Sequence, residues 1–494
     1  MSQEQLSDVG RQLLHDLPAL ATLRKLDRKE IDKVIALVEN CAAFNREHAE
    51  PKALELDERI GRDPDYFDWD LVKDAGDHRL FSLVIPEVLG GLAGKYMLTA
   101  GFLAFEELCS TCAGIGNVIA ATALGISPMV TPGGLVHWDT VLNEIMEGEK
   151  KGKPVLMAYA ITEPSAGTDV EEPEFLATAR IGMEAKKVKG GYLLNGRKCF
   201  ISGGREATYL TVCAATERDR PLETWSLFLV EKDREGLSVP RVEQKMGQRA
   251  CHAAELLFED VFVPEANLLG SEGDGMATGI LAIMAASRGP VAAVGTGIAR
   301  GTFRHFLAWA REARGGKKPV DEQYIQMALA DMHASIQQSR GLCLNHSLAG
   351  DEVFGALMIN PLMKALFALP RAVRLSRPYR SFLQSPMGKA MTSQMLRILV
   401  DEDDLTHILS LASLAKFAGT DNAMRVTSRA LELMGTDDSP HRRWVEKCFR
   451  DAKLTQIYEG TNQLNRLAVF GIEIAGTLKV ELPRPFGKGD RGTG

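Results

Sequence analysis

Hydrophobic positions in the first 155 residues recur every three or four positions, which is the period of an α-helix. The pattern predicts a mainly helical segment over residues 1–155. Within it, a turn over residues 85–91 precedes a helix over residues 97–108. One apolar stripe at helical spacing would face the core of this segment; it comprises Ile31, Val34, Ile35, Val38 and Cys41.

Between residues 156 and 275 the pattern changes to short apolar runs separated by turn residues. The region contains two turn signals, Gly190-Gly191 and Asn195-Gly196. Asn-Gly between apolar runs is a strong hairpin signal because both residues tolerate positive φ. Several short strands at this spacing predict a small β-barrel or sandwich. The clearest strand runs lie at residues 155–161, 225–230 and 255–263.

Helical periodicity returns over residues 276–480, where long helices that end at short loops predict a bundle. The tail at residues 481–494 is rich in proline, glycine and charge, so we expect it to be mobile. The chain therefore reads as α+β, with a helical domain, a small β-domain and a second helical domain. The clearest helical stripe of the third segment is Ile325, Leu329, Met332 and Ile336.

An insertion at about residues 350–400 interrupts the C-terminal helical pattern. Between residues 353 and 397 it holds seven basic residues, four prolines and several apolar runs, but no acidic residue. Such a segment suits a membrane surface or a docking partner, so one hypothesis is peripheral contact with the inner face of the membrane. The alternative is a loop folded on the protein's own acidic surface or at a subunit contact. The basic residues are Lys364, Arg371, Arg374, Arg377, Arg380, Lys389 and Arg397.

Composition narrows the class of protein. Hydrophobic residues make up 45% and charged residues 25% of the 494 positions, which is the balance of a soluble globular protein. A net charge of −7 argues against nucleic-acid binding. Eight scattered cysteines, no secretory signal and no apolar run of about 18 residues predict a cytoplasmic protein. Cys109 and Cys112 form a CxxC without a second pair or histidine at ligand spacing, so we predict no metal site.

One stretch, RDAKLTQIYEGTNQLNR at residues 450–466, points to chemistry. It places the carboxylate of Glu459 before a small turn, Gly460-Thr461, between two helical patterns. Glycine allows close approach of a ligand, and the helix that follows offers free N–H groups. The stretch therefore fits an acid held beside a ligand, although an ordinary helix joint with a solvated glutamate has the same pattern.

Three ordered motifs resemble those of the acyl-CoA dehydrogenase family. The first is TEPSAGTD at residues 162–169, which is similar to the family's flavin-contact motif. The second is KMGQRA at residues 245–250 running on to FEDVFVP at residues 258–264, and the third is IYEGT around Glu459. The resemblance covers roughly residues 30–476 apart from the insertion. It implies an N-terminal helical domain over 1–155, a middle β-domain over 156–275 and a C-terminal four-helix bundle over 276–480.

The resemblance implies FAD-dependent α,β-dehydrogenation of an acyl-CoA thioester to the 2-enoyl-CoA. Glu459 would be the α-proton base, and flavin N5 would accept the β-hydride, since no protein side chain is such an electron sink. The backbone N–H of Glu459 and a flavin hydroxyl would hold the thioester oxygen. Some relatives place the base on the first long helix of the C-terminal domain. That position is Ser287 here, which favours Glu459 as the base and makes the adjacent Arg288 a candidate contact to the CoA arm.

The remaining site residues carry over from the family motifs. The aromatic-x-hydroxyl pair of the family matches Phe200-Ile201-Ser202, where Phe200 would pack on the flavin ring and Ser202 would bond near N5. The predicted substrate-binding residues are Ser165, Arg288, Tyr458 and Gly460. The predicted cofactor-binding residues are Tyr159, Ile161, Thr162, Gly167, Thr168, Phe200, Ser202, Gln323, Thr461 and Gln463.

Two segments depart from the family pattern. The R-x-x-F-G segment, which reaches FAD from a neighbouring subunit, reads REARGGKKPVDEQ at residues 311–323 and lacks the phenylalanine; Gln323 fits better than Arg311 or Arg314. The usual G-G-N-G reads Gly-Thr-Asp-Asp at residues 435–438. We therefore expect the FAD contacts between subunits to differ from those of the family.

The family resemblance also implies partners and rivals. Electrons would pass to an electron-transfer flavoprotein or a related carrier, and the protein would form a homotetramer or homodimer. An acyl-CoA oxidase or a flavin hydroxylase of the same fold is one alternative. A non-catalytic scaffold or binding subunit is another, against which the intact Glu459 and flavin motif argue.

Overall fold

The computed structural model describes residues 6–171, 173–276, 279, 282–355, 365, 368–399 and 401–479. Its first segment is helical, as predicted. The stripe from Ile31 to Cys41 is buried, with exposures of 0–4%. The helices are α1 (Asp8–Asp16), α2 (Pro18–Leu26), α3 (Arg28–Phe44), α4 (Glu50–Arg62), α5 (Trp69–Asp77), α6 (Met97–Cys109), α7 (Ala113–Ile126) and α8 (Asn143–Lys150).

The middle segment forms one eight-stranded mixed sheet with the order β6-β7-β3-β2-β4-β5-β8, to which β1 adds by pairing with β4. Two pairings, β1 with β4 and β2 with β4, are parallel, and the others are antiparallel. The strands are β1 (Met157–Ala160), β2 (Glu184–Val188), β3 (Gly191–Ser202), β4 (Tyr209–Ala215), β5 (Trp225–Glu231), β6 (Leu237–Val242), β7 (Ala253–Pro264) and β8 (Leu268–Leu269), with short helices α9 (Pro173–Leu176) and α10 (Pro221–Thr224) between them.

One of the two predicted turns is wrong. Gly190 (φ 86°) does turn the chain between β2 and β3, but Asn195-Gly196 lies inside β3. Gly196 (φ 140°) falls where the register of β3 against β7 shifts, which marks a β-bulge. The Asn195 side chain makes both bonds to Asp260 of β7: its Nδ2 donates to Asp260 Oδ1 at 2.9 Å, and its Oδ1 accepts from the Asp260 backbone N–H at 2.9 Å. The bulge is therefore held by the neighbouring strand. Positive φ at an Asn-Gly pair serves a bulge as well as a turn.

The third segment is a helical bundle in which α11 packs against α12, α16 and α17. Ile325, Met332 and Ile336 of the predicted stripe are buried and Leu329 is half-buried. The helices are α11 (Ala282–Arg311), α12 (Gln323–Gly350), α13 (Arg371–Arg374), α14 (Arg377–Gln384), α15 (Pro386–Leu399), α16 (Glu402–Met434), α17 (Pro440–Thr455) and α18 (Asn462–Val469).

A buried ion-pair network joins the N-terminal helices to the bundle. Arg340 of α12 donates to Glu106 of α6 through Nε at 2.9 Å and Nη2 at 2.6 Å, and both side chains are almost fully buried. Arg300 of α11 adds a second cation at 2.8 Å from Glu106. Because an unpaired buried charge is costly, this network fixes α6 against α11 and α12.

The described part of the insertion folds onto the protein itself. Arg374 donates to both carboxylate oxygens of Asp139, at 2.7 and 2.8 Å. Lys389 lies 3.9 Å from Glu265, and Leu383 is 4% exposed. These contacts support the own-surface interpretation and give no support to a membrane contact. Residues 356–364, 366 and 367, and the tail from residue 480, lie outside the described residues.

Within the part of the chain that the structure describes, one helical window is long and apolar enough to cross a membrane by length and composition alone. This window, Ala113–Val130, has a mean hydropathy of 1.5, and the sequence prediction overlooked it. It is 61% buried within the fold, and α7 packs against α6 and β1. It has the environment of a core helix.

Candidate active site

The turn between α17 and α18 carries Glu459. Glu459 and Gly460 both have left-handed backbone conformations, with φ of 53° and 74°. For a residue with a Cβ this conformation costs roughly 1–2 kcal/mol, so neighbouring contacts must hold it. Asn465 of α18 supplies two of them, donating to the carbonyl oxygen of Gly460 at 2.9 Å and to that of Thr461 at 3.0 Å.

Lys416 supports the same turn from α16. It is buried, and its ammonium donates to the Gly460 carbonyl oxygen at 2.6 Å and to Asn462 Oδ1 at 2.8 Å. Burial lowers the pKa of Lys416 to about 7, and the nearby Glu171 charge opposes that fall. Sequence reasoning missed Lys416. The signal was present, since a lysine between the apolar residues of LASLAKFAG is seldom buried without a partner.

The Glu459 carboxylate is half-buried and accepts a hydrogen bond from the Ser287 hydroxyl of α11, at 2.8 Å. Burial raises the pKa of Glu459, while the Ser287 bond and the charges of Arg288 and Lys416 oppose that rise. The two positions at which members of the resembled family carry the base are Glu459 and Ser287 here, and one hydrogen bond joins them. A carboxylate with a raised pKa beside a neutral hydroxyl is suited to accept a proton near neutral pH.

Arg288 is completely buried. Its guanidinium donates to Ser413 Oγ at 3.0 Å, and Nη2 lies 3.6 Å from the carboxylate of Glu171. Glu171, another residue that sequence reasoning missed, lies two positions after the TEPSAGTD motif and ends the short 3₁₀-helix Thr168–Glu171. The contact of Arg288 with a CoA arm stays a prediction; its described contacts are with other side chains of the chain.

A buried ion pair holds the TEPSAGTD loop. Lys198 of β3 donates to Glu163 Oε1 at 2.8 Å and to the Ile161 carbonyl oxygen at 2.8 Å, and both side chains of the pair are 0% exposed. Glu163 also accepts from the Gly182 N–H at 2.6 Å. The loop is therefore fixed while Ile161 and Thr162 remain partly exposed.

Next to this loop, the ring of Phe200 is exposed to solvent and forms an open aromatic face. Phe200 is 61% exposed with a φ of 58°, and Ser202 at the end of β3 is exposed. The Cys199 N–H donates to the Thr162 carbonyl oxygen at 2.9 Å, which places Phe200 beside the loop. An open ring face bordered by hydroxyl groups fits a flat heteroaromatic cofactor such as the isoalloxazine of FAD.

Tyr159 lies at the same side of the sheet, one residue before the end of β1. Tyr159 of β1 is buried, and its hydroxyl accepts a hydrogen bond from Cys213 Sγ at 3.4 Å. Burial raises the pKa of Tyr159, and the charges of Glu459 and Glu171 add to the rise. Glu171, two positions after the motif loop, lies with its Oε2 2.8 Å from where a Cβ on Gly460 would stand, so the motif loop and the Glu459 turn meet at one site.

The KMGQRA motif contacts the residue that precedes Glu459. The Tyr458 hydroxyl accepts from the side-chain amides of Gln248 at 3.3 Å and Asn117 at 3.4 Å. The backbone N–H of Gln248, a residue with φ of 50°, donates to the Asp451 carboxylate. Through these bonds the middle domain, α7 and α17 position the residue that precedes Glu459.

Several predicted residues have local roles. The Thr461 hydroxyl accepts from the Leu464 N–H at 3.3 Å and so caps α18. Ser165 Oγ donates to the Arg180 carbonyl oxygen at 2.8 Å, and the Gly167 N–H donates to Asp169 at 2.7 Å. Thr168 is partly exposed where the short 3₁₀-helix begins, and Gln323 and Gln463 are exposed in the first turns of α12 and α18.

The two segments that depart from the family pattern contact each other. Arg314 Nε donates to Asp437 Oδ2 at 3.0 Å, and its guanidinium lies 4.8 Å from the centre of the Trp309 ring. Bonds from Ser439, together with the Arg314 charge, lower the pKa of Asp437 to about 2. Arg311 is exposed. Arg314, one of the two arginines that align loosely with the family's R-x-x-F-G segment, is thus engaged within the chain.

The sequence predicts no metal site, but one group of side chains has the spacing of metal ligands. Among the described residues, Glu47, His48 and His78 offer ligand atoms that lie within 4.8 Å of one another. His48 Nδ1 is 3.0 Å from Asp74 and His78 Nδ1 is 2.9 Å from Asn40 Oδ1. The two imidazole rings also stack edge to face, with centroids 5.5 Å apart, which is a sufficient packing role.

Comparison with known proteins identifies the class. The acyl-CoA dehydrogenase N-terminal domain matches residues 32–149, the middle domain residues 158–261 and the C-terminal domain residues 273–368 and 386–470. The break in the last match falls inside the predicted insertion. The chain therefore belongs to the acyl-CoA dehydrogenase family, whose members are flavoproteins that use FAD. It is an oxidoreductase of that family.

Individual relatives also carry the names of acyl-CoA dehydrogenases. Cyclohexane-1-carbonyl-CoA dehydrogenase of Geobacter metallireducens is 31% identical over 89% of this chain and 96% of its own length. Cyclohex-1-ene-1-carbonyl-CoA dehydrogenase of Syntrophus aciditrophicus is 31% identical over 84% of each chain. Among solved structures, butyryl-CoA dehydrogenase from Megasphaera elsdenii matches with a TM-score of 0.70 at 25% identity, over 89% of this chain and 98% of that chain.

We predict that Lys198→Met weakens FAD binding. The substitution leaves Glu163 as an uncompensated buried charge, which is costly, so the loop should open. We expect the dissociation constant of FAD, measured by fluorescence titration of apoprotein, to rise about tenfold or more. Lys187→Met on the neighbouring strand, where the lysine pairs with Glu272 at 3.3 Å at the surface, is the control and should change it little. Equal FAD affinity in all three proteins would contradict this role of the ion pair.

We predict that Gly460→Ala distorts the Glu459 turn. A Cβ at this position would meet Glu171 Oε2 at 2.8 Å and would sit on a backbone with φ of 74°. Strain of about 1 kcal/mol or more should lower the thermal unfolding midpoint. Gly341→Ala in α12, where nothing lies within 4 Å, should leave the midpoint unchanged or raise it. A Gly460→Ala protein as stable as wild type would show that the turn is not constrained in this way.

Proposed function

We propose that this protein catalyses α,β-dehydrogenation of an acyl-CoA thioester to the 2-enoyl-CoA, with Glu459 as the base. The observation that carries the proposal is the half-buried Glu459 carboxylate, which is bonded to Ser287 at 2.8 Å in a turn that packs against Glu171 just after the flavin motif. A saturated thioester has a weakly acidic α-proton, so its removal needs a base of raised pKa held close to the α-carbon.

In the proposed reaction the α-C–H bond breaks and its proton passes to a carboxylate oxygen of Glu459. The β-hydrogen leaves with its electron pair, and bound FAD supplies the acceptor for that hydride. The backbone N–H of Glu459 donates to the thioester oxygen and stabilises the negative charge that develops there. The left-handed turn, fixed by Lys416 and Asn465, sets the direction of both the carboxylate and this N–H.

Residues around the open aromatic face would hold the cofactor. We assign Phe200, Tyr159 and Ser202 to the isoalloxazine, because the bond from the Cys199 N–H to the Thr162 carbonyl oxygen brings the exposed Phe200 ring beside the motif loop. Ile161 and Thr162 line the same surface. Gly167 and Thr168 would contact the pyrophosphate, and the partly buried Thr461 and the exposed Gln463 and Gln323 would contact the adenosine side. Ser165, Tyr458, Gly460 and Arg288 stay proposed substrate contacts.

The names of the relatives support two classes of candidate substrate and one candidate partner. Their names indicate alicyclic acyl-CoA substrates, and other relatives are short-chain acyl-CoA dehydrogenases. A further solved structure, reported for the electron-transferring flavoprotein of Acidaminococcus fermentans, matches with a TM-score of 0.68 at 25% identity over 90% of this chain and 98% of that chain. We propose that electrons pass to an electron-transfer flavoprotein. Eight free, buried cysteines are consistent with a reducing compartment such as the cytoplasm, and we propose a homotetramer or homodimer.

We predict that Glu459→Gln nearly abolishes reduction of bound flavin by acyl-CoA. The test is anaerobic bleaching of flavin absorbance by cyclohexane-1-carbonyl-CoA and butyryl-CoA, and we expect a rate loss of about 10²–10⁴-fold because the general base is missing. The base acts when deprotonated, so the wild-type rate should rise with pH through the raised pKa of Glu459.

Ser287→Ala is the matched control for this test. It removes a hydrogen bond that favours the charged form of Glu459, so the rising limb should move to higher pH while bleaching at high pH is retained. If Glu459→Gln bleaches as fast as the wild type, the assignment of the base is wrong. If no thioester bleaches the wild type, the proposed reaction fails.

A further inference from the structure

The buried surroundings of the Glu459 turn hold more charge than α-proton abstraction requires. Arg288 and Lys416 are each 0% exposed, and Glu171 is 8% exposed. With the half-buried Glu459 this makes two basic side chains and two carboxylates in one cluster. Because buried charges persist only when they are balanced, the second carboxylate needs an explanation.

Glu171 lies between the turn and one of the cations. Its Oε2 is 3.6 Å from Nη2 of Arg288. The same oxygen lies 2.8 Å from where a Cβ on Gly460 would stand, so the carboxylate packs directly on the glycine next to Glu459. Glu171 is also the largest charge that opposes the fall of the Lys416 pKa. The Glu171 carboxylate therefore pairs with Arg288 and also favours the charged form of Lys416.

Glu459 itself is bonded to a neutral group. Its described hydrogen-bond donor is the Ser287 hydroxyl, although Arg288 follows directly in sequence and its charge is felt at Glu459. A guanidinium in a desolvated site pairs with the nearest available carboxylate. A carboxylate paired in that way has a lowered pKa and is a weak base.

We propose that Glu171 is a positioning residue: it holds the Arg288 guanidinium and offsets Lys416, so that Glu459 stays bonded to the neutral Ser287 and free to take the α-proton. This inference rests on the proposed function, because it treats Glu459 as the base. It assigns a role to a residue that touches neither substrate nor cofactor in the proposed reaction.

The remaining groups near the Glu459 carboxylate are neutral. Tyr159 from β1 and Tyr458 from the turn itself have pKa values raised by burial, so both stay neutral at physiological pH. Ser413 of α16 accepts from Arg288 and carries no charge. The charges that act on Glu459 are therefore those of Arg288 and Lys416, and Glu171 lies beside Arg288.

The test is the pH dependence of anaerobic flavin reduction in Glu171→Gln, which keeps the shape of the side chain and removes its charge. The probe is butyryl-CoA or cyclohexane-1-carbonyl-CoA, whichever bleaches wild type faster. We expect the rising limb to move to lower pH by about one unit, since a cation close to a carboxylate shifts its pKa by roughly one to three units. The plateau rate should fall, and Glu171→Asp should show a smaller shift.

A second readout does not depend on turnover. The infrared carbonyl band of protonated Glu459, identified by its absence in Glu459→Gln, should titrate at lower pH in Glu171→Gln than in the wild type. Adding Arg288→Met to Glu171→Gln should move the titration back up, because the capturing cation is gone. Glu149→Gln, at a buried carboxylate that accepts from the Phe81 and Ser82 backbone N–H groups, is the control and should leave it in place.

The outcomes separate the two claims. If Glu459→Gln retains wild-type reduction rates, the proposed function fails whatever Glu171 does. If Glu459 is essential but Glu171→Gln and Glu171→Asp keep the wild-type pH profile and band titration, Glu171 is only structural and the inference is overturned. If Glu171→Gln does not fold, the smaller shift expected for Glu171→Asp decides, and its absence overturns the inference.

Discussion

The structure depends on one strained turn held between buried charges. Glu459 and Gly460 are both left-handed, and the energetic cost of that conformation is met by Lys416, Asn465 and the packing of Glu171. Each of these contacts comes from a different part of the chain: the bundle, the last helix and the loop that leaves the sheet. The turn therefore depends on the docking of the middle domain on the C-terminal bundle, which ties formation of the site to the assembly of these two domains.

The supporting network extends outward from that turn. The Glu106–Arg340 pair fixes the N-terminal helices on the bundle, and the Lys198–Glu163 pair fixes the flavin loop on the sheet. Gln248 of the KMGQRA motif joins the middle domain to α17 through Asp451 and to the Glu459 turn through Tyr458. Buried ion pairs contribute little net stability compared with apolar packing, but they specify one arrangement because alternatives leave a charge unpaired. Such specification suits a site whose groups must keep fixed distances.

The sequence was sufficient for the fold and for the residues that sit in motifs. The order of helical and strand periods predicted the three segments, and the IYEGT and TEPSAGTD stretches located Glu459 and the flavin loop. Glu171 and Lys416 could not be placed, because their importance arises from burial and mutual distance, which local pattern does not contain. The Asn195-Gly196 turn failed for a related reason: positive φ is readable from sequence, but a bulge and a turn share it. The insertion was recognised, while its docking by Arg374 onto Asp139 required the structure.

The central claim is that Glu459 removes the α-proton of a bound acyl-CoA. The most direct measurement is exchange of that proton with D₂O, followed by NMR of the thioester in the presence of the FAD-loaded enzyme under anaerobic conditions. Wild type should exchange the α-position, and Glu459→Gln should not, although it still binds the thioester. Undiminished α-exchange in Glu459→Gln would contradict the account, because another group would then be the base.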